Sequence, residues 1–178
     1  MARITPRLLL SSLATLLLAT SAGATSFTIS ASADGAQETP PNASPGTSIL
    51  TGTYDDATNL LTWSGSFSGL IGTTTDAHFH GPAAVGVPAG VAIHITAAGG
   101  GDIFPLGATA GAYSGSATIT ETHESQLLSG LWYLNIHTTF LLGGEIRGQL
   151  SAVVVPEPST AALLGLGLIA LARTRRHA

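Results

Sequence analysis

The stretch Asp-Ala-His-Phe-His-Gly-Pro, which begins at Asp76, carries the most chemically active group of side chains in the sequence. Successive side chains alternate between the two faces of an extended strand, so Asp76, His78 and His80 share one face. A later segment, Tyr-Leu-Asn-Ile-His-Thr, contributes His137 in the same alternation. Imidazole nitrogens and carboxylate oxygens are ligands that zinc and copper accept. These residues predict a copper or zinc site at His78, His80 and His137, with Asp76 as a fourth ligand.

The same histidines also have an entirely structural interpretation, because two histidines separated by one residue are common without a metal. In that interpretation their rings form hydrogen bonds at the end of a β-sheet. A ligating histidine needs an acceptor for its second ring nitrogen, and Asn135 or Glu145 could supply one. Two further histidines, His94 and His123, are predicted to face solvent and to take no part in the site.

The charge of the central region limits the partners that the protein can have. Residues 25–155 contain one basic side chain, Arg147, and nine acidic ones. Nucleic-acid binding depends on neutralising phosphates with several Lys and Arg side chains, so this class of partner is excluded. As the one cation of this region, Arg147 is predicted to form a structural ion pair with Glu145 or Glu38.

The sequence contains no cysteine. Thiol catalysis, thiolate zinc sites and copper sites with a Cys ligand are therefore excluded. No nucleophile elbow, phosphate-binding loop or pair of acids in a recognisable arrangement is present either. We accordingly expect the protein to have no enzymatic activity and no certain cofactor.

The N-terminal segment has the composition of a secretory signal peptide. Arg3 and Arg7 precede a largely apolar run over residues 8–19, and Ala22 and Ala24 are small residues of the kind that signal peptidase recognises. The apolar run is shorter than the roughly 20 residues that a membrane-spanning helix needs. We predict that residues 1–24 are the signal peptide and that signal peptidase cuts after Ala24.

The C-terminal segment, residues 154–178, has three parts: Pro156-Glu157-Pro158, an apolar run over residues 161–172, and an arginine-rich end. All three resemble the PEP-CTERM sorting signal of Gram-negative bacteria. The resemblance implies recognition and cleavage by an exosortase-type enzyme, with delivery to the cell surface or an exopolysaccharide matrix. The alternative is a simple C-terminal membrane anchor.

Between the two ends, short runs rich in β-branched residues alternate with Gly, Pro, Asn and Asp turns. This pattern predicts one all-β domain over residues 25–153, an antiparallel β-sandwich or barrel of about eight strands. A short helix is predicted near residues 122–128. The domain would be flanked by the signal peptide and by a hydrophobic C-terminal helix.

Four motifs of this domain resemble, in order, those of the CHRD domain, which is named after chordin. They are Gly-Ala-Gln-Glu-Thr-Pro-Pro at residues 35–41, Ala-His-Phe-His-Gly-Pro at 77–82, Tyr-Leu-Asn-Ile-His-Thr at 133–138 and Gly-Gly-Glu-Ile-Arg-Gly-Gln-Leu at 143–150. The resemblance covers residues 27–151. It implies an all-β domain in an extracellular setting and specifies little chemistry.

Together these features predict an exported protein of the cell surface or extracellular matrix, whose CHRD-type domain is a non-enzymatic binding or adhesion module. Its expected partners are signal peptidase, an exosortase-type sorting enzyme, and exopolysaccharide or surface proteins. It would cross the inner membrane and be held there, transiently or permanently, by the C-terminal helix. The alternative function is copper or zinc binding, or metal-dependent redox chemistry, at the histidines.

Overall fold

A computed structural model of the chain describes residues 25–95 and 103–156, together with Gly165, Gly167 and Leu168. It confirms the prediction of an all-β fold with one short α-helix, α1 (Glu121–Leu128), and adds a 3-10 helix at Gly35–Gln37. The strands are β1 (Ser26–Asp34), β2 (Thr47–Asp55), β3 (Leu60–Ser68), β4 (Thr74–His80), β5 (Val91–His94), β6 (Gly111–Thr118), β7 (Tyr133–Thr138), β8 (Ile146–Gln149) and β9 (Ser151–Val154).

All of these strands belong to one antiparallel sheet that curls into a nearly closed barrel. The strand order is β5-β4-β7-β8-β1-β2-β3-β6, and β9 also pairs with β1. The segment 103–109 spans the gap between β4 and β6. Ile103 forms a bridge with Ser114 of β6, and the amide of Thr74 in β4 donates to the Ala108 carbonyl at 2.9 Å. This segment therefore joins the two sides of the barrel that the strands leave open.

The core lies inside this barrel because apolar side chains alternate with small polar ones along the strands. In β1, Ile29, Ala31 and Ala33 are buried while the residues between them are exposed. Two large aromatic rings meet at the centre, where Phe79 packs edge-on against Trp63 with ring centroids 5.2 Å apart. Since Phe79 points inward, its neighbours His78 and His80 must point to the outer face of the sheet.

The strand-like segment 145–153 is divided into β8 and β9, which gives nine strands where about eight were expected. The division falls at Leu150, whose side chain is buried and whose amide donates to the carbonyl of Trp132 at 2.8 Å. Before this residue β8 pairs with β7, and after it β9 pairs with β1. Period-two alternation does not reveal the division, because both halves have strand-like sequences.

The predicted signal peptide, with Ala22 and Ala24, lies outside the described residues, as do Glu157 and Pro158 of the sorting motif. Pro156 follows the end of β9 without regular secondary structure. Within the described residues there is no helix long and apolar enough to cross a membrane.

The Glu145 carboxylate ties three segments of the fold together. It is fully buried and accepts hydrogen bonds from the hydroxyls of Ser44 and Thr138, each at 2.6 Å. It also accepts from the amides of Ile71 at 2.7 Å and Gly72 at 3.1 Å. Burial by itself raises the pKa of Glu145, but these four donors outweigh it and lower the pKa below its ordinary value of 4.5. The carboxylate is thus held in its charged form.

The change Glu145→Gln places an amide NH₂ group among donors, so we expect it to reduce the free energy of unfolding by about 2–4 kcal/mol at neutral pH. Because the pKa is lowered in the folded protein, this stabilisation is present above pH 4.5 and is lost as pH falls further. Urea denaturation at pH 7 and pH 3.5 measures both effects. The same change at exposed Glu121 should cost about 1 kcal/mol or less, and equal losses in the two variants would contradict the assignment.

Candidate metal centre

The histidines lie on the outer face of the barrel where β5, β4 and β7 run side by side. In the pairing of β4 with β7, Asp76 lies opposite His137 and His80 lies opposite Tyr133. In the pairing of β4 with β5, His78 lies opposite His94. Although this face points away from the core, His78 and His80 are only 8% and 9% exposed. The chain after β4 covers them, since the carbonyl of Ala89 contacts the His80 ring.

The structure brings the three predicted ligands together. The Nδ1 atom of His78 and the Nε2 atom of His137 are 3.0 Å apart, although 59 residues separate them in sequence. One ring nitrogen from each of His78, His80 and His137 lies within 4.8 Å of the other two. A tetrahedral zinc ion requires ligand nitrogens about 3.3 Å apart. The 3.0 Å between His78 and His137 is close to that value, and the 4.8 Å limit leaves only small side-chain rotations to complete a three-nitrogen site.

Hydrogen bonds to backbone carbonyls fix the orientation of two of these rings. His80 Nδ1 lies 3.0 Å from the Ala89 carbonyl oxygen, and His137 Nδ1 lies 2.9 Å from that of Leu142. A carbonyl oxygen only accepts, so both Nδ1 atoms carry the proton and both Nε2 atoms carry a lone pair. This arrangement is typical of metal-binding histidines. The acceptors are main-chain carbonyls, not the predicted Asn135 or Glu145.

The Nε2 atom of His80 has no hydrogen-bond partner among the described residues, although it is buried. A buried nitrogen without a partner is unfavourable by about 1–3 kcal/mol. His80 belongs to the group that His78 and His137 complete, and Nε2 is its ring nitrogen without a partner. These residues therefore fit a transition-metal ion, which would take up the unused lone pair.

His78 has an acceptor beside each of its ring nitrogens. Its Nδ1 faces the lone pair of His137 Nε2, and its Nε2 lies 3.1 Å from Oδ2 of Asp76. The contact with Asp76 has the distance of an ion pair but lacks hydrogen-bond geometry. A neutral imidazole carries a single proton and can satisfy only one of these two neighbours.

The surroundings keep His78 and His80 neutral, as metal ligands must be. The pKa of His78 is lowered to about 4, chiefly by burial; the charge of Asp76 opposes this shift, and the neighbouring histidines contribute to it. Burial likewise lowers the pKa of His80. Additional protons therefore do not compete for the lone pairs at neutral pH.

Arg147 forms no direct salt bridge with Glu145 or Glu38, its predicted partners, in the part of the chain that the structure describes. Arg147 instead lies over the ring of Tyr133, with its guanidinium carbon 3.5 Å from the ring centroid, and donates to the Val87 carbonyl at 2.9 Å. The Glu145 carboxylate instead accepts hydrogen bonds from two hydroxyls and two amides.

These contacts of Arg147 support the histidine site. Tyr133 stacks on His80 with ring centroids 5.0 Å apart and an angle of 7° between the rings. The amide of Ala89 donates to the Tyr133 hydroxyl at 3.0 Å, and the carbonyl of the same Ala89 orients the His80 ring. Arg147 is thus a positioning residue. It holds the covering loop, which is the chain between β4 and β5 at residues 81–90, and it holds the Tyr133 ring on which His80 stacks.

His94 was expected to face solvent, and it is exposed, but it also lies beside His78 with ring centroids 4.6 Å apart. One ligand atom from each of Asp76, His78 and His94 falls within 4.8 Å of the other two. Alternation along β5 is enough to predict that His94 points outward. Its contact with His78 could not be predicted in this way, because that contact depends on how β4 and β5 pair. Strands that follow one another in sequence usually pair, so the succession of β4 and β5 is the signal that could have revealed it. His123 lies on α1 against Trp132 and outside both groups.

Comparison with known proteins agrees with the two resemblances noted in the sequence. The CHRD domain model matches residues 29–150, which is more than half of the chain. The chain belongs to the CHRD domain family. A PEP-CTERM protein-sorting motif matches residues 154–176 and indicates export, sorting to the cell surface and processing by an exosortase-type enzyme. No curated protein and no solved structure matches the chain.

Glu38, in the first CHRD motif, is buried against the turn that precedes β8. Neither Oε1 of Glu38 nor Oδ1 of Asn135 has a hydrogen-bond partner among the described residues. Both atoms lie so close to Gly144 that a Cβ atom added there would collide with them. Gly144 also has a φ of +126°, so a side chain is excluded there on two grounds. Burial raises the pKa of Glu38 from 4.5 to about 7, with the amide of Thr39 and the charge of Arg147 acting in the opposite direction.

The raised pKa of Glu38 predicts a loss of stability as pH rises from about 4.5 to 7, because ionisation is harder in the folded protein than in the unfolded one. The shift corresponds to about 3 kcal/mol. The variant Glu38→Gln cannot ionise, so we expect it to match the wild type near pH 5 and to exceed its free energy of unfolding by up to about 3 kcal/mol at pH 8. Denaturant titrations at both pH values provide the measurement. A difference that does not change with pH would show that Glu38 ionises freely.

Proposed function

We propose that the CHRD domain of this exported protein binds a transition-metal ion, copper or zinc, through His78, His80 and His137. The observation that carries the proposal is the buried Nε2 of His80, which has no hydrogen-bond partner in the described part of the chain and belongs to a three-histidine group. Two of the rings are already oriented by carbonyl acceptors. Such a site needs little reorganisation to accept an ion.

The ligand set favours some metals over others. Three neutral imidazoles suit zinc and copper, whereas calcium and magnesium prefer oxygen ligands. The predicted fourth ligand, Asp76, approaches His78 through its other ring nitrogen and lies outside this group, so the ion would keep a fourth position for water or a partner. When bound, copper would supply redox capacity and zinc would supply none. The residues of this chain hold the ion, exclude water from two of the ligands and fix the ring orientations.

The test is metal binding by the full-length protein after treatment with a chelator. We expect the wild type to bind Zn²⁺ or Cu²⁺ at the cluster and to gain about 2.7 kcal/mol of stability when free metal is 100 times the Kd. The double variant His80→Gln, His137→Gln should lose at least 100-fold in affinity for that site. His123→Gln is the matched control, because His123 lies outside the cluster. Unchanged affinity in the double variant would refute the proposal.

A second function is supported by a different surface, on the outer side of β1, β2, β3 and β6. One row across these strands is Thr28, Thr53, Thr62 and Ser116, and the next is Ser30, Thr51, Ser64 and Ser114. Neighbouring strands place these hydroxyl-bearing side chains about 4.8 Å apart, and the rows contain no charged residue. We propose that this hydroxyl face binds neutral matrix glycans and acts as the adhesion surface without enzymatic chemistry.

Charged side chains would disrupt such a face without touching the core. The double variant Thr51→Glu, Ser64→Glu should lower retention of the protein on exopolysaccharide from the producing cells by at least tenfold in a co-sedimentation assay. Thr122→Glu, on the exposed side of α1, is the control and should be retained like the wild type. Equal retention of all three proteins would argue against adhesion through this face.

A further inference from the structure

A second group of potential ligands shares one histidine with the proposed site. Asp76, His78 and His94 meet on the side of the His78 ring away from His137. The first group approaches His78 through Nδ1, and Asp76 approaches it through Nε2. A single imidazole therefore stands between two sets of donor atoms.

We propose that His78 is a bridging ligand between two metal ions, one held with His80 and His137 and the other with Asp76 and His94. This inference rests on the proposed function, because it requires the three-histidine site to bind metal. The argument is the arrangement of lone pairs around His78. Each of its nitrogens faces a group that cannot donate to it, and a proton can relieve only one of the two contacts.

Two metal ions relieve both contacts. On binding the second ion, the N–H bond of the His78 ring breaks, its proton passes to solvent and the freed electron pair forms the second metal–nitrogen bond. The ions would then be roughly 6 Å apart, which is two metal–nitrogen bonds plus the width of the ring. No change in oxidation state is involved.

The position of the second group suits the entry of a metal ion from solvent. His94 is exposed on β5, which is the terminal strand on that side of the sheet, and Asp76 is half-buried. His78 is shared by both groups, whereas His80, which belongs to the inner group alone, is buried. The outer site would therefore exchange its ion more readily than the inner one.

Copper(II) binding to the full-length, chelator-treated protein tests this inference. An imidazolate bridge couples the spins of two copper(II) ions weakly and antiferromagnetically, so at liquid-helium temperature the electron paramagnetic resonance intensity at two equivalents should fall below half of that for two isolated ions. His94→Ala should bind one equivalent and give the full signal for one isolated ion. His123→Ala should behave like the wild type, and both substitutions remove a histidine that is not fully buried.

Several outcomes would overturn the bridge, and they are distinct from failure of the proposed function. If the wild type binds one equivalent of copper and the double variant His80→Gln, His137→Gln binds none, then only the first site exists. Two equivalents with additive signals indicate separate sites without a bridge. Coupling that survives in His94→Ala excludes His94 as a ligand. Binding of no copper at all refutes both the bridge and the three-histidine site.

Discussion

The buried charge of Glu145 is the constraint on which the functional end of the barrel depends. A carboxylate inside a protein must receive hydrogen bonds, and here two hydroxyls and two amides from separate segments converge on it. One of these donors is Thr138, the residue after His137. The turn that Glu145 closes also presents the Leu142 carbonyl to the His137 ring. The geometry of a candidate ligand is therefore set by a group that is not itself a ligand.

The same requirement, that buried polar groups need partners, also explains the arrangement of the neutral residues His78 and His80. Strand alternation buries Phe79 and leaves His78 and His80 on the outer face, where the covering loop excludes water. Excluding water makes every unpaired nitrogen unfavourable and lowers the pKa values of both histidines. Burial thus keeps lone pairs available while removing the solvent that would otherwise satisfy them. A metal ion would resolve the resulting conflict around His78.

The faces of the strands were predictable from sequence, because a period of two determines which side chains point inward. The proximity of His137 to His78 was a hypothesis that alternation could suggest but not establish, since it depends on the register between strands 59 residues apart. The contacts of Arg147 could not be predicted, because stacking on Tyr133 competes with charge pairing and the choice depends on loop geometry. The division of the last strand at Leu150 also needed the tertiary structure. Sequence therefore gives the chemistry of the candidate site, while strand register and loop geometry determine its arrangement.

The segment 103–109 has a consequence for a protein that is sorted to the cell surface. A terminal strand with free amides and carbonyls is a template on which other chains can add, and this is a common route to aggregation. Here Ile103 occupies both backbone groups of Ser114 in β6, while Gly107 and Ala108 occupy those of Thr74 in β4. The backbone amides and carbonyls at Ser114 and Thr74 are therefore not available to pair with a strand of another chain. The domain can therefore be displayed at high density while these positions are protected from edge-to-edge association.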